Sequence, residues 1–195
     1  MTSGLPESQG LYDPRNEHDA CGIGFVASVK GHKSHDIIVK GIQVLINLTH
    51  RGACGCDPET GDGAGVLIQI PHEFFARECA SLGFTLPSAG EYGIGMTFLP
   101  VEPPRRLQCE GIIERIVREE GLTVLGWRDT PIEGSAIGRV ARASQPYIQQ
   151  IFVSRGKGMT EEHLERTLYI VRKRIETELT DCYIPSLSAR TIVYK

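Results

Sequence analysis

Two periodicities alternate along this chain, and their alternation constrains its fold more than any other feature. Apolar residues recur at every second position in short segments such as "EYGIGMTFLP", where Tyr92, Ile94 and Met96 share one side. They recur every three or four positions in longer segments such as "TEEHLERTLYIVRKRIETEL". The first pattern is typical of strands and the second of helices. Several connections are too short for a crossover helix, so we predict an α+β fold with layered, mainly antiparallel sheets.

The individual elements follow from the same patterns. Apolar alternation predicts strands at residues 22–30, 66–70, 91–100, 122–127, 147–155 and 189–195, although two adjacent glutamines interrupt the pattern of the fifth. Helical spacing predicts helices at residues 34–52, 71–79, 103–121 and 160–179. The buried stripe predicted for the third helix is Leu107, Ile112, Ile116 and Val117. For the fourth helix it is Leu164, Leu168, Val171 and Ile175, with Thr160 as the N-cap.

Composition excludes several functional classes. The 195 residues suit one domain with an ordinary core. A net charge of −3 argues against a nucleic-acid partner, which needs clustered positive charge. The sequence has no run of about 18 apolar residues, which argues against a membrane partner. Six cysteines without a secretory signal predict reduced thiols and a cytoplasmic location.

Residues 1–20 differ from the rest of the chain in composition. They carry four acidic side chains against the single base Arg15, so they hold a net charge of 1 − 4 = −3. They also lack the basic start and apolar centre of a secretory signal. One interpretation is a disordered tail. The other is a leader that is removed.

Cys21 directly follows this leader and opens the first predicted strand. A thiol needs a base to become a nucleophile, because its free pKa is about 8.5. Cleavage between Ala20 and Cys21 would free an α-amine with a pKa of about 7.7 to 8.0, which suits proton transfer near neutrality. Nucleophile and base would then belong to one residue. The simpler interpretation is that Cys21 is a small buried apolar group.

Two other motifs support weaker hypotheses. Cys54 and Cys56 form a C-x-C pair, but a zinc site needs four ligands and no second pair is recognisable. A thiol-rich metal-binding or regulatory module therefore stays as an alternative that depends on these two residues. The glycines of "TGDGAG" match neither the phosphate loop nor the dinucleotide fingerprint, and a predicted strand follows them.

The string "ACGIGF", followed further along by "HRGACGCDPETGDGAG", resembles the N-terminal class II glutamine amidotransferase domain of glutamate synthase large subunits. The closing "SLSARTIVYK" is similar to a later segment of the same family. The resemblance covers nearly all of residues 21–195. It implies an N-terminal-nucleophile (Ntn) hydrolase fold, a four-layer αββα sandwich that is incomplete in this chain. Another class II amidotransferase, of the glucosamine phosphate or phosphoribosyl type, is the alternative within the class.

The resemblance also implies roles for particular residues. Residues 1–20 would be a propeptide, and residues 21–195 the N-terminal part of the amidotransferase domain. Cys21 would attack the side-chain amide of glutamine and release ammonia, with its own α-amine as the base. Arg51 and Gly52 would help to order the glutamine pocket. Asp62 would form structural hydrogen bonds in the surrounding loop.

For the whole enzyme, the resemblance implies synthase domains further along the polypeptide. There FMN and an iron–sulfur cluster would serve the reductive amination of 2-oxoglutarate, and a small NADPH-oxidising subunit is an implied partner. No cofactor or metal is expected in residues 1–195. The family forms its oxyanion hole with an Asn-Gly pair, which this sequence lacks. Because losing one oxyanion donor costs about 10²- to 10³-fold in rate, we expect this chain alone to be inactive.

Overall fold

The structure of this chain is a computed structural model, which describes residue 10 and residues 22–49, 60–61 and 63–194. Within these ranges the chain forms five α-helices, six β-strands and a short 3₁₀ turn before the fourth helix. The helices are α1 (His35–Asn47), α2 (His72–Ser81), α3 (Pro103–Glu119), α4 (Arg139–Ala143) and α5 (Glu161–Glu178). The strands are β1 (Val66–Gln69), β2 (Tyr92–Leu99), β3 (Thr123–Asp129), β4 (Tyr147–Ser154), β5 (Tyr183–Ser188) and β6 (Thr191–Tyr194).

The strands form two antiparallel sheets, which confirms the sheet type predicted from the sequence. Four strands pair in the order β3-β4-β2-β5, and β1 pairs with β6 in a separate two-stranded ribbon. Because β2 and β3 are both antiparallel to β4, α3 is a crossover between parallel strands. By the same reasoning α5 is the crossover between β4 and β5. The four-stranded sheet is therefore a split βαβ arrangement.

One face of the four-stranded sheet is covered by α3 and α5. The buried residues of this layer include Ile113, Ile116, Leu168, Val171, Ile151, Val153 and Leu187. Helix α5 packs directly on the backbone of β2, because a Cβ placed on Gly93 would lie 2.4 Å from Leu168 Cδ1. Only a glycine leaves room for this approach of helix to strand.

The opposite face of the sheet is covered by α2 and the β1–β6 ribbon. Tyr92, Ile94 and Met96 project from β2 into this second layer, as their alternation predicts. They pack with Phe75 of α2 and Ile192 of β6. Helix α1 contacts β1. The ribbon thus contacts both the large sheet and α1.

The predicted strand at residues 22–30 is wrong. The structure assigns no strand to this segment, and its apolar residues Ile23, Phe25 and Val29 are 94%, 92% and 104% exposed. A strand needs a neighbouring backbone to accept and donate its hydrogen bonds. In the described part of the chain this segment pairs with no strand, and its glycines contact helix α1 instead.

Two other elements test the sequence analysis. The stripe predicted for α5 is confirmed, since all four residues are buried and Thr160 Oγ1 accepts a hydrogen bond from His163 N at 3.2 Å. The stripe predicted for α3 is partly wrong, because Leu107 is 63% exposed and Ile113 is buried. The buried residues of α3 follow an i, i+4, i+7 pattern from Cys109, which rotates the stripe away from Leu107.

Candidate functional site

The sequence predicts a site at Cys21, Arg51, Gly52 and Asp62, and all four lie outside the described residues. The structure does describe their chain neighbours. Gly22 follows Cys21 directly. Thr49 is the last described residue before the segment that contains Arg51. Gly61 and Gly63 flank Asp62. The structure therefore gives the contacts of these described neighbours.

The residues after Cys21 lie against α1. A Cβ placed on Gly22 would lie 3.0 Å from Leu48 Cδ2, and a Cβ placed on Gly24 would lie 2.5 Å from Val44 Cγ1. Two residues of extended chain span about 6.6 Å and four residues of helix rise about 6 Å, so alternate glycines can meet successive turns. The segment runs antiparallel to α1. Gly22 therefore lies at the C-terminal end of the helix.

The C-terminal end of α1 leads towards Arg51. Leu48 N donates to Val44 O at 3.0 Å, and Thr49 Oγ1 donates to Ile46 O at 2.7 Å, so the last turn is closed by local hydrogen bonds. A helix C-terminus carries a partial negative charge that stabilises a nearby cation. The structure thus brings the described neighbours of Cys21 and of Arg51 into contact at one end of α1.

The neighbours of Asp62 are held from a different side. Ala141 N of α4 donates to Thr60 Oγ1 at 3.4 Å, which is a long hydrogen bond. The loop then enters β1, whose first residue Val66 pairs with Tyr194 of β6. The position of this loop therefore depends on where the β1–β6 ribbon lies on the large sheet.

A chain of hydrogen-bonded polar side chains, two of them buried, reaches this end of the ribbon. Gln150 Nε2 donates to the Tyr194 hydroxyl at 3.2 Å, and Arg128 Nη1 donates to Gln150 Oε1 at 3.0 Å. Arg128 Nε donates to a Glu78 carboxylate oxygen at 3.2 Å. The sequence analysis did not identify this chain, but it did contain a signal. The adjacent glutamines that interrupt the β4 pattern include Gln150, which is fully buried.

The cysteines that the structure describes are poor nucleophiles. Burial raises the pKa of the Cys79 thiol to about 11 and that of Cys182 to about 12. Burial also raises the pKa of Cys109. An activated cysteine has a lowered pKa and access to solvent. None of these three described thiols therefore competes with Cys21 as a candidate nucleophile.

A groove of about 680 Å³ lies between α5, β5 and the β1–β6 ribbon. Its apolar lining includes Leu67, Tyr169 and Leu187. Neither a cysteine nor a histidine lines it, so it offers no nucleophile or imidazole base to a substrate. We do not assign the active site to this groove.

Metal ligands do not cluster in the described residues. The ranges that the structure describes contain no group of three or more His, Cys, Asp or Glu side chains arranged to hold a metal ion. The alternative based on Cys54 and Cys56 concerns residues outside those ranges. Among the described helices, none is long and apolar enough to cross a membrane.

Comparison with known proteins gives one family match and a consistent set of relatives. The model of the family "Glutamine amidotransferases class-II" matches residues 21–195. The chain is 45% identical over 196 residues to the glutamate synthase [NADPH] large chain of Bacillus subtilis (strain 168), covering 98% of this chain and 13% of that protein. It is 42% identical over 180 residues to ferredoxin-dependent glutamate synthase 2 of Synechocystis sp. (strain ATCC 27184 / PCC 6803 / Kazusa), covering 92% of this chain and 12% of the relative.

A fungal relative extends the set. The chain is 37% identical over 204 residues to glutamate synthase [NADH] of Saccharomyces cerevisiae (strain ATCC 204508 / S288c). This match covers 98% of the chain and 10% of the relative. The chain thus spans only 10–13% of the length of these three relatives.

Proposed function

The chain belongs to the class II glutamine amidotransferases, and we propose that it forms the glutamine-hydrolysing, ammonia-releasing part of a glutamate synthase large chain. The observation that carries this proposal is the family match over residues 21–195, which begins at the cysteine singled out from the sequence. The relatives support the narrower assignment, because those compared are all named glutamate synthases. Residues 1–20 are, in this proposal, a propeptide that precedes the amidotransferase domain.

The proposed mechanism begins with hydrolysis of the peptide bond between Ala20 and Cys21. The freed α-amine accepts the thiol proton, directly or through one water, and the thiolate attacks the side-chain carbonyl carbon of glutamine. A C–S bond forms and the carbonyl oxygen becomes an oxyanion. The protonated amine then gives its proton to the leaving nitrogen, the C–N bond breaks, and ammonia departs. Water hydrolyses the thioester to glutamate and restores the thiol.

We propose that Arg51 and Gly52 order the glutamine pocket beside Cys21. Two observations support this placement. Gly22 packs against Leu48 at the C-terminal end of α1, only three positions before Arg51. The partial negative charge at that helix end favours a cation there. Asp62 is proposed to hydrogen-bond within the loop that enters β1, which would shape the backbone around the nucleophile.

We also propose that the domain is a four-layer αββα sandwich of the Ntn-hydrolase type. Support comes from the order of the described layers. Helices α3 and α5 cover one face of the large sheet, the β1–β6 ribbon lies on the other face, and α1 lies beside the ribbon. In this architecture the nucleophile belongs between the two sheets. The ribbon would then be part of the second sheet.

The proposed whole enzyme passes ammonia to synthase domains that use FMN and an iron–sulfur cluster. The cysteines that the structure describes do not form a ligand set for the iron–sulfur cluster. Iron–sulfur clusters are held by several cysteine thiolates, and Cys79 belongs to a different core layer from Cys109 and Cys182. A small NADPH-oxidising subunit and a cytoplasmic location remain predictions.

The proposal is tested by ammonia release from glutamine, measured in the full-length gene product that contains this chain. We expect Cys21→Ala to abolish ammonia release, whereas the matched variants Cys54→Ala and Cys56→Ala retain it. A diazoketone analogue of glutamine should label Cys21 once. Glutamate formation from 2-oxoglutarate separates a glutamate synthase from another class II amidotransferase. Stoichiometric metal that is lost with Cys54 and Cys56 would contradict the proposal and favour the thiol-rich module.

A further inference from the structure

Glu78, Arg128, Gln150 and Tyr194 form one continuous chain of hydrogen bonds between the large sheet and the β1–β6 ribbon. Each link joins a different element: Glu78 lies on α2, Arg128 on β3, Gln150 on β4 and Tyr194 on β6. The separations are 3.2 Å from Arg128 Nε to Glu78, 3.0 Å from Arg128 Nη1 to Gln150, and 3.2 Å from Gln150 Nε2 to Tyr194. These hydrogen bonds thus connect the large sheet to both α2 and the β1–β6 ribbon.

Burial makes this chain more informative than a surface ion pair. Gln150 is fully buried, and the Arg128 side chain is only 9% exposed, while its partner Glu78 is 39% exposed. Well-packed apolar residues often stabilise a fold as well as a buried ion pair does. A buried ion pair is therefore weak evidence that the pair stabilises the fold. The best-attested role of such a pair is to specify a position or a register.

This hydrogen-bond chain acts on a short element. The ribbon has four residue pairs, from Val66↔Tyr194 to Gln69↔Thr191. Its other contacts with the large sheet include the apolar packing of Ile68 and Ile192 and the hydrogen bonds that Thr191 N and Val193 N donate to Ser188 Oγ and Ser186 Oγ of β5, at 3.2 Å each. The hydrogen bond from Gln150 is directional, and it meets the ribbon at the Tyr194 end. That is the end at which the loop containing Asp62 enters β1 through Val66.

We propose that Arg128, acting through Gln150 and Tyr194, is a positioning residue for glutamine hydrolysis that holds the start of β1 in place. This inference rests on the proposed function for its catalytic consequence. Arg128 orients the amide of Gln150, Gln150 holds the Tyr194 hydroxyl, and Tyr194 fixes the start of β1. Loss of the last hydrogen bond loosens residues 63–69 without removing any group proposed to contact the substrate.

The test compares Tyr194→Phe with a matched variant, Thr97→Val. Tyr194→Phe removes the hydroxyl that accepts from Gln150, and Thr97→Val removes the buried hydroxyl that donates to Gln149 O at 2.9 Å. Each variant therefore loses one hydroxyl hydrogen bond to β4. Only Tyr194 belongs to the polar chain. In the full-length gene product we expect Tyr194→Phe to lower kcat for glutamine hydrolysis about tenfold or more, because small misplacements of a site are costly. Thr97→Val should leave kcat within about twofold at a similar loss of Tm.

Hydrogen exchange gives a second readout that does not need activity. We expect amides of residues 63–69 to exchange about tenfold faster in Tyr194→Phe than in the parent chain, and Thr97→Val to leave them unchanged. Equal exchange rates at residues 63–69 in the parent and Tyr194→Phe would overturn the inference. A parent protein that releases no ammonia would instead refute the proposed function.

Discussion

Replacing Gly24 by alanine tests whether the segment after Cys21 must lie on α1. The added Cβ would lie 2.5 Å from Val44 Cγ1, whereas carbon atoms in contact are ordinarily about 3.5 to 4.0 Å apart. The valine side chain is stiff at χ1 and cannot rotate freely out of the way. Overpacking of this kind costs about 1 to 3 kcal/mol, a factor of about 5 to 150 in the equilibrium between docked and undocked segment.

We expect Gly24→Ala to displace the segment after Cys21 from α1 without disturbing the core. Helix α1 contributes no fully buried residue, and Ile23 and Phe25 are almost fully exposed, so the two core layers do not depend on this contact. We therefore expect Gly24→Ala to slow labelling of Cys21 by the glutamine diazoketone at least about fivefold. The global Tm should change little, because that transition reports the core.

A second substitution separates this clash from other effects of alanine. Val44→Ala removes the Cγ1 atom, so the double variant Gly24→Ala/Val44→Ala should recover most of the labelling rate. Gly41→Ala is the matched control in the same helix, because a Cβ there meets no atom within 4 Å. It should leave labelling unchanged and favour the helix by about 1 kcal/mol. Normal labelling in Gly24→Ala, or no recovery in the double variant, would refute the reasoning.

Two further predictions concern stability. Gly93→Ala should lower the free energy of unfolding by about 1 to 3 kcal/mol, because its Cβ would meet buried Leu168 at 2.4 Å. Gly111→Ala is the control, because a Cβ there meets no atom within 4 Å, and it should not lower the free energy of unfolding. Thermal unfolding of the two variants measures the difference. Alkaline pH should destabilise the fold, because folding raises the pKa of Cys79 to about 11 and of Cys182 to about 12. The unfolded chain then binds fewer protons than the folded chain, so the Tm should fall above about pH 8.5. The Tm should fall less steeply in Cys79→Ala, and a Tm that stays level to pH 11 would contradict the assignment.

The sequence predicted those helices and strands whose apolar residues all fall on one face, because only one orientation of such an element buries them. Strand β2 and helix α5 illustrate this, since their apolar residues fall on one face and the structure buries that face. Strand β5 was missed because Pro185 and serines at alternate positions hide its pattern. It is an edge strand, where proline is tolerated.

The sequence could not decide features that depend on partners distant in the chain. The alternation at residues 22–30 is that of a strand, but pairing needs a neighbouring backbone, and the glycines contact α1 instead. Arg128 and Tyr194 are separated by many positions, so no local pattern shows that Gln150 connects them. For the site itself, motif resemblance identified the candidate residues. The structure contributes the contacts of residues that lie next to Cys21 and near Asp62 in the chain.

The most direct test of the central claim is the intact mass of the gene product, followed together with ammonia release from glutamine. The account requires the nitrogen of Cys21 to be a free amine in the active protein. We predict that the active species has lost residues 1–20, and that glutaminase activity rises in proportion to the processed fraction. Blocking cleavage by substitution at Ala20 should keep the activity near zero. Full activity in protein that still carries residues 1–20 would contradict the account.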